Sequence, residues 1–235
     1  MTRKELRQDL IEILGTYLSE KGFKIDADNT IYKKTKTHTF SVGLEILTYD
    51  TIWVNSLFPF IQFNEIEKPL ISICYFDKSA SESKMALKNS MTVKGDWVRE
   101  YTDFGLSMYT HSVLFSEILK EYLEKVAFPF FDKYSNLQEI NQEILANDMP
   151  YKEGIGYIGD MEDYFKIPIV GGDTRSKLRR MFIMKYCNDS RYDDFLKWYQ
   201  NHLDVHEVNT NEVLRLKLYK FFNDTKEYLA NLKID

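Results

Sequence analysis

Cysteine is scarce in this chain, which contains only Cys74 and Cys187 among its 235 residues. Both lie in apolar stretches, ISICYF and FIMKYC, where cysteine usually behaves as a small buried hydrophobic residue. Two isolated cysteines provide neither a disulfide framework nor the ligand spacing of a zinc site. The sequence therefore predicts a fold held together by its apolar core, with no bound cofactor.

Long apolar runs are also missing. No segment of the sequence approaches the roughly 18 apolar residues that read as a membrane span. The N-terminal stretch MTRKELRQDL lacks the apolar region of a secretory signal. We therefore expect a cytoplasmic protein that does not associate with a membrane.

Positive charge is in deficit. The formal net charge is −5 at pH 7. Residues 151–235 contain as many basic as acidic side chains, so the acidic surplus lies in residues 1–150. A nucleic-acid footprint usually shows a basic surplus, and we therefore expect no nucleic-acid partner. The acidic first part would instead attract a protein partner with a basic surface.

Aromatic residues are abundant, with 16 Tyr and 16 Phe. Disordered chains contain few aromatic residues, and a chain of this length can bury roughly 70–75% of its unfolded surface, so a packed core is expected. Any Tyr and Trp side chains left at the surface would favour a protein interface.

The first part of the chain shows a helix followed by an antiparallel meander. Thr2 and Glu5 fit a capping box, apolar residues then recur at helical spacing, and Gly22 ends the helix. From residue 30 to 63 the apolar period changes to two, as in TFSVGLEIL and IWVNSLFPFIQF. The run PLISICYF is a candidate fourth strand, and a further strand is expected from about Trp97.

Helical spacing dominates the rest of the chain. A helix is predicted from about Thr110 and is expected to end at Pro129, because proline disfavours helix in the residue before it. Ser135 and Gln138 fit a second capping box. Further helices are predicted after Asp173, after Ser190 and from about Thr210.

These elements predict an α+β fold, in which an antiparallel sheet is packed by helices and followed by a helical C-terminal part. Residues 1–150 form the α+β domain in this interpretation, and residues 151–235 form the helical part. The two either make one globule or remain separate. Half of the ten glycines fall between Gly154 and Gly172, which indicates a junction where the chain reverses.

The same glycines include the spacing Gly154-x-Gly156-x-x-Gly159, which occurs in dinucleotide-binding loops. Such a loop requires a strand before it and a helix after it to receive the pyrophosphate. The preceding NDMPYKE has no apolar strand pattern, and Pro168 interrupts the segment that follows. We therefore interpret these glycines as conformational and expect no dinucleotide site.

Two weaker patterns remain as candidate sites. Arg175, Lys177, Arg179 and Arg180 fall in the first turns of a predicted helix, where exposed N–H groups and arginine forks suit an anion such as phosphate. Alternatively, Asp173 caps that helix and the basic residues form a solvated face. In HLDVH, His202 and His206 are one helical turn apart, as zinc ligands often are, but no third ligand is indicated and a surface loop is favoured.

Three features of residues 1–145 occur together: the leading amphipathic helix, the NTIYKKTKTHTFSVGLEI meander and EILKEYLEKVAFPFFDKYSNLQEI. In this combination the segment resembles an uncharacterised class of bacterial domains of unknown function. In that class a helix ends in a Leu-Pro-Phe-Phe-like step, and here Phe128 replaces the leucine in the step that runs from Ala127 to Phe131. The resemblance implies no catalytic residues and an immunity-like or accessory role near bacterial toxin loci.

The sequence thus favours a non-enzymatic protein-interaction module, of an immunity or accessory type. The alternative is an enzyme that acts on a small anionic or phosphorylated substrate near Arg175 and Arg179. The oligomeric state is left open by the sequence.

Overall fold

The computed structural model describes residues 1–144, 151–152, 156–157, 170, 175–206 and 212–232. Contacts between residues divide the chain into two compact units that interleave along the sequence. Unit 1 comprises Met1–Gln62 and Lys94–Ser135, and unit 2 comprises Phe63–Val93 and Asn136–Asp235. This grouping differs from a division at residue 150, a position outside the described residues, because residues 63–93 group with the C-terminal helices.

Unit 1 begins with helix α1 (Arg3–Glu20), and its predicted capping box is confirmed. The backbone N–H of Glu5 donates to Thr2 Oγ1 at 3.2 Å, and the Thr2 N–H donates to Glu5 Oε2 at 2.6 Å. After the helix, Gly22 adopts a φ of +78°, the left-handed conformation that glycine tolerates best. One stripe of α1 is buried and consists of Leu6, Leu10, Leu14 and Leu18.

The sheet confirms the antiparallel meander. Its main order is β1-β2-β3-β4-β5, and β6 also pairs with β4. The register places Ile31 opposite Val42 across β2 and β3, and both side chains are fully buried. The strands are β1 (Lys24–Ile25), β2 (Ile31–Lys34), β3 (His38–Thr48), β4 (Ile52–Phe63), β5 (Val93–Lys94) and β6 (Phe104–Leu106).

A glycine in β3 permits a close side-chain contact with β4. The ring of Phe58 lies over Gly43 so closely that an added Cβ would be 2.5 Å from its Cζ. The ammonium of Lys94 lies over the same ring, 4.5 Å from its centroid. Gly43 is therefore required for packing in this part of the sheet.

The helical segment of unit 1 continues past Pro129, so the predicted helix end there is wrong. Helix α4 (Tyr109–Tyr122) leads into a π-helical turn, Leu123–Ala127, and then into α5 (Phe128–Tyr134). Proline is tolerated in the first turn of a helix, where its missing N–H is not needed. The wider π turn separates the hydrogen-bonding pattern of α4 from that of α5.

Unit 2 begins with helix α2 (Asn64–Cys74), which replaces the fourth strand expected in PLISICYF. A short apolar run cannot be distinguished from a buried helical segment by its period alone. Pro69 removes the N–H that would bond to the Glu65 carbonyl, and the hydroxyl of Tyr186 donates to that carbonyl at 3.4 Å instead. Tertiary contacts thus satisfy the group that the proline leaves open.

The remaining described elements of unit 2 are mainly helices, which confirms the predicted helical C-terminal part. Asn136 caps α6, since its side chain accepts from the Gln138 N–H at 2.8 Å, so the capping box predicted at Ser135 is wrong. Every helix in the described ranges is too short or too polar to cross a bilayer. The elements are α3 (Ala80–Lys88), α6 (Leu137–Glu143), β7 (Tyr151–Lys152), β8 (Gly156–Tyr157), α7 (Ser176–Tyr186), α8 (Tyr192–His206) and α9 (Glu212–Ala230).

Replacing Gly43 by alanine should destabilise unit 1 by about 1–3 kcal/mol, because the new methyl group overlaps the Phe58 ring in a packed environment. Gly15 provides the control: a Cβ there would lie 3.8 Å from Ile11 Cγ2, an ordinary contact. Gly15→Ala in the middle of α1 should instead stabilise by about 0.5–1 kcal/mol. Urea unfolding monitored by circular dichroism measures both, and equal effects of the two substitutions would contradict the overlap.

Candidate functional site

Helices α1 and α4 of unit 1 lie side by side and run in the same direction. The hydroxyl of Ser112 donates to Asp9 Oδ2 at 2.6 Å. Further along, Tyr17 of α1 donates to Glu124 Oε1, in the π-helical turn after α4, at 3.2 Å. The leucine stripe of α1 and the buried Phe115 and Leu119 of α4 supply the apolar burial in this region. Their polar and aromatic side chains are thereby brought together along one surface.

Three tyrosine hydroxyls on this surface each donate to a glutamate. Besides the Tyr17–Glu124 bond, Tyr109 donates to Glu12 Oε1 at 3.3 Å and Tyr101 donates to Glu121 Oε1 at 3.4 Å. We call this set the tyrosine–glutamate strip. Its members are Tyr17, Tyr101, Tyr109, Glu12, Glu121 and Glu124.

The electrostatics keep the strip's hydroxyls protonated and Glu121 ionised at neutral pH. Burial, and then the charge of Glu124, raises the pKa of Tyr17 to about 12. The pKa values of Tyr101 and Tyr109 are raised for the same reasons, burial first and their glutamate neighbours second. The hydrogen bond and charge of Lys125, 2.7 Å away, lower the pKa of Glu121. The strip therefore presents phenol rings beside a carboxylate that stays charged.

Rings and carboxylates side by side are a suitable environment for a cation. The ammonium of Lys120 already lies 4.9 Å from the centroid of the Tyr17 ring, within cation–π range. Apolar side chains at the start of α4 are also exposed: Tyr109 is 47% exposed, Met108, just before the helix, 55% and Leu114 59%. The surface thus combines negative charge, aromatic rings and apolar area.

Arg179, one of the residues predicted to bind an anion, forms a buried ion pair within unit 2. It is 1% exposed, its Nε lies 2.7 Å from Glu67 Oε1, and its Nη2 lies 3.1 Å from Glu67 Oε2. The hydroxyl of Thr92 also donates to Glu67 Oε1 at 2.9 Å, and accepts the backbone N–H of Phe63 at 3.0 Å. The guanidinium is thus held in two-point contact by a carboxylate of the protein itself.

The other three basic residues of this predicted site have different surroundings. The guanidinium of Arg175 lies 5.7 Å from the ring centroid of Tyr75, and the ammonium of Lys177 lies 5.9 Å from that of Tyr199. Arg180 is buried, with 3% of its surface exposed. The capping residue proposed for this helix, Asp173, is outside the described residues. The anion site and the alternative enzyme function near Arg175 and Arg179 stay predictions.

The histidine and glycine patterns are only partly within the described residues. The ring of His202 stacks on Trp198 at 5.9 Å, whereas the side chain of His206 lies outside them. In the described part of the chain, no group of three or more His, Cys, Asp or Glu side chains is arranged to hold a metal. Gly156 lies opposite Lys152 in the antiparallel pair β7–β8, and Gly154 and Gly159 are not described.

The thiol of Cys187 is poorly suited to nucleophilic chemistry. Burial, followed by the charge of Asp189, raises the pKa of Cys187 to about 12. Because the thiolate is the reactive form, such a cysteine is inert at neutral pH. Sequence analysis predicted both cysteines to be buried, whereas Cys74 is buried and Cys187 is half-buried.

Sequence analysis missed the tyrosine–glutamate strip, although the excess of tyrosine pointed to a surface of this kind. The spacing of Glu121 and Glu124 on one helix face is visible in the sequence. Their tyrosine partners are not, since Tyr17 and Glu124 are 107 residues apart.

No family model matches this chain, and no curated protein and no solved structure matches it. The resemblance to a bacterial domain class therefore stays a prediction.

Removing the charge of Glu67 should destabilise unit 2 strongly, because Arg179 would remain buried without its anion. We expect Glu67→Gln to cost about 3–5 kcal/mol of unfolding free energy. Replacing both Glu67 and Arg179 by methionine should cost much less than the sum of the single substitutions. The control is Asp224→Asn, which breaks the exposed Lys220–Asp224 pair and should cost no more than about 1 kcal/mol. A Glu67→Gln cost as small as the control's would contradict a structural role for this pair.

The raised pKa of Tyr17 predicts a pH dependence of stability. Since the pKa is raised from 10.0 to about 12 in the folded protein, its stabilising contribution is complete below pH 10 and is lost as the pH rises toward 12. Denaturant unfolding at a series of pH values from 9 to 11 should therefore show a smaller loss of stability for Tyr17→Phe than for the unmodified protein.

Tyr49→Phe is the control for that titration, because it removes a hydroxyl from a side chain that is 70% exposed. For Glu124→Gln, we expect a loss of unfolding free energy with pH that is intermediate between those of Tyr17→Phe and the unmodified protein. This substitution removes the second cause of the raised pKa of Tyr17 but leaves the burial of Tyr17 unchanged. If Tyr17→Phe and the unmodified protein lose stability equally, the local environment assigned to Tyr17 is incorrect.

Proposed function

We propose that this protein is a non-enzymatic, cytoplasmic protein-interaction module whose partner presents a basic surface. The tyrosine–glutamate strip of unit 1 is the observation that supports this proposal. It places three phenol rings and three carboxylates along α1, α4 and the segments just before and after α4. Tyrosine is enriched at protein interfaces, because it offers a large rigid contact with few rotatable bonds.

The strip suits lysine and arginine side chains of a partner better than it suits other groups. A hydroxyl-to-carboxylate distance of 3.2–3.4 Å is long for an O–H···O bond, so these hydrogen bonds are weak and easily exchanged. A cation placed there gains a charge-assisted bond to a glutamate and contact with a ring face. The position of Lys120 over Tyr17 shows the ring contact of such an arrangement within the chain itself.

The charge of the whole chain supports the same partner class. A net charge of −5 favours encounter with a positively charged protein and disfavours binding to nucleic acid. This net charge and the resemblance of residues 1–145 to the bacterial domain class lead us to propose an immunity-type or accessory role. In that role, the strip covers a basic surface of a toxin-like protein. A toxin-like reading frame beside the gene would support this narrower proposal.

Neutralising two glutamates of the strip should weaken the interaction. The double variant Glu12→Gln with Glu124→Gln keeps side-chain size and removes two charges, and we expect its affinity for the partner to fall about tenfold or more. The partner is first recovered with the full chain as bait in a native lysate of the source cells and identified by mass spectrometry. Its affinity is then measured by calorimetry with purified proteins at low and at physiological salt.

The matched control is Glu139→Gln with Glu227→Gln, which makes the same change in net charge on exposed residues of unit 2. It should leave affinity within about twofold of the unmodified protein, since surface charges away from an interface contribute little. Recovery of no stoichiometric partner would refute the proposal. So would a partner that binds the strip variant as tightly as it binds the control variant.

A further inference from the structure

A second feature of unit 1 is a cleft of about 480 Å³ between the end of α1, the strands β2 and β3, and α5. Four phenylalanine rings form its apolar wall. The ring centroids of Phe23 and Phe128 are 5.4 Å apart, those of Phe23 and Phe131 are 5.9 Å apart, and those of Phe40 and Phe131 are 5.4 Å apart. This volume is within the range of small-molecule sites, which are mostly apolar with a few polar groups.

Two ammonium groups lie over the rings of this cleft. Lys21 Nζ is 5.3 Å from the centroid of Phe128, and Lys33 Nζ is 5.6 Å from that of Phe23. Among the described residues, neither ammonium forms an ion pair with a carboxylate, although Glu20 and Asp132 also line the cleft. The protein thus leaves two cations beside an apolar wall, with ring faces as their main described contacts.

The backbone at Gly22 positions one of these cations. Gly22 has a φ of +78° and no side chain, and an added Cβ would lie 3.3 Å from Lys33 Cε. The aliphatic part of Lys33 therefore lies across this glycine, which directs its ammonium toward Phe23. The glycine that follows α1 thereby contributes to the geometry of the cleft.

We propose that the cleft binds a small apolar carboxylate, such as an aromatic or branched-chain acid. Its apolar body would contact the phenylalanine rings, and its carboxylate would pair with the ammonium groups of Lys21 and Lys33. An ion pair at the edge of an apolar wall is less screened than one in open solvent, so the two parts of the ligand reinforce each other. Lys21 Nζ also lies 5.3 Å from the ring centroid of Tyr17, so the cleft adjoins the tyrosine–glutamate strip. The carboxylate site nevertheless does not depend on the proposed function.

The preference for a negatively charged ligand is tested with three probes that share a phenyl ring on a three-carbon chain and differ in their polar end: 3-phenylpropanoate, 3-phenylpropan-1-ol and 3-phenylpropylamine. Each is titrated into the full, isotope-labelled chain, and backbone chemical shifts are followed by NMR. We expect the acid to bind saturably with a dissociation constant below about 1 mM and the alcohol to bind about tenfold more weakly. The amine should bind more weakly still. The backbone NMR signals that shift saturably should include those of Lys21, Lys33 and Phe128.

The positions of the two cations are tested by Lys21→Met and Lys33→Met, which keep an unbranched side chain and remove the charge. Each should weaken 3-phenylpropanoate binding about five- to tenfold. Lys34→Met is the matched control, because Lys34 follows Lys33 on β2 and its ammonium lies 5.5 Å from the ring of Tyr32, outside the cleft lining. It removes the same charge and one cation–π contact but should change the affinity less than twofold.

Three results would overturn the assignment. They are the absence of saturable binding of 3-phenylpropanoate up to about 10 mM, an amine that binds as tightly as the acid, and a Lys34→Met variant that loses as much affinity as Lys33→Met. Failure here leaves the partner experiment on the strip unaffected, since the two use different residues and different probes.

Discussion

Burial of the leucine stripe of α1 is the constraint on which both proposed binding features depend. Leu6, Leu10, Leu14 and Leu18 are at most 4% exposed, and α1 packs along α4. Because the two helices run in the same direction, this packing aligns the tyrosines and glutamates of the strip. The chain beyond α1 then places Lys21 and Phe23 against α5. One apolar interface thus organises a charged surface and an aromatic cleft within unit 1.

Unit 2 differs from unit 1 in that two of its opposite charges are buried together. There, the guanidinium of Arg179 and the carboxylate of Glu67 are both buried and satisfy each other, with Thr92 completing the network. Burial of a single charge without its partner would be costly, so this pair constrains which segments belong together. It joins a residue of α2 to a residue of α7, 112 positions later, and accounts in physical terms for the interleaved units.

Local patterns predicted the elements well and their junctions poorly. The elements whose sequence signals lie within a few residues of one another are confirmed. They are the capping box at Thr2, the alternating residues of β3 and the C-terminal helices. PLISICYF was misassigned because a short apolar run does not distinguish a strand from a helical segment, and the exposed Glu65 and Lys68 of α2 lie before the run. Pro129 was misassigned because a π turn allows a new helix to begin where the old pattern stops.

The sequence by itself determined the α+β class, the acidic charge and the start of α1 at the Thr2 capping box. Tertiary structure decided which distant residues meet. It paired Arg179 with Glu67, Tyr17 with Glu124, and Lys33 with Phe23. The reason is physical: periodicity and caps reflect interactions between residues near in sequence, whereas ion pairs, ring contacts and clefts depend on which apolar faces are buried together.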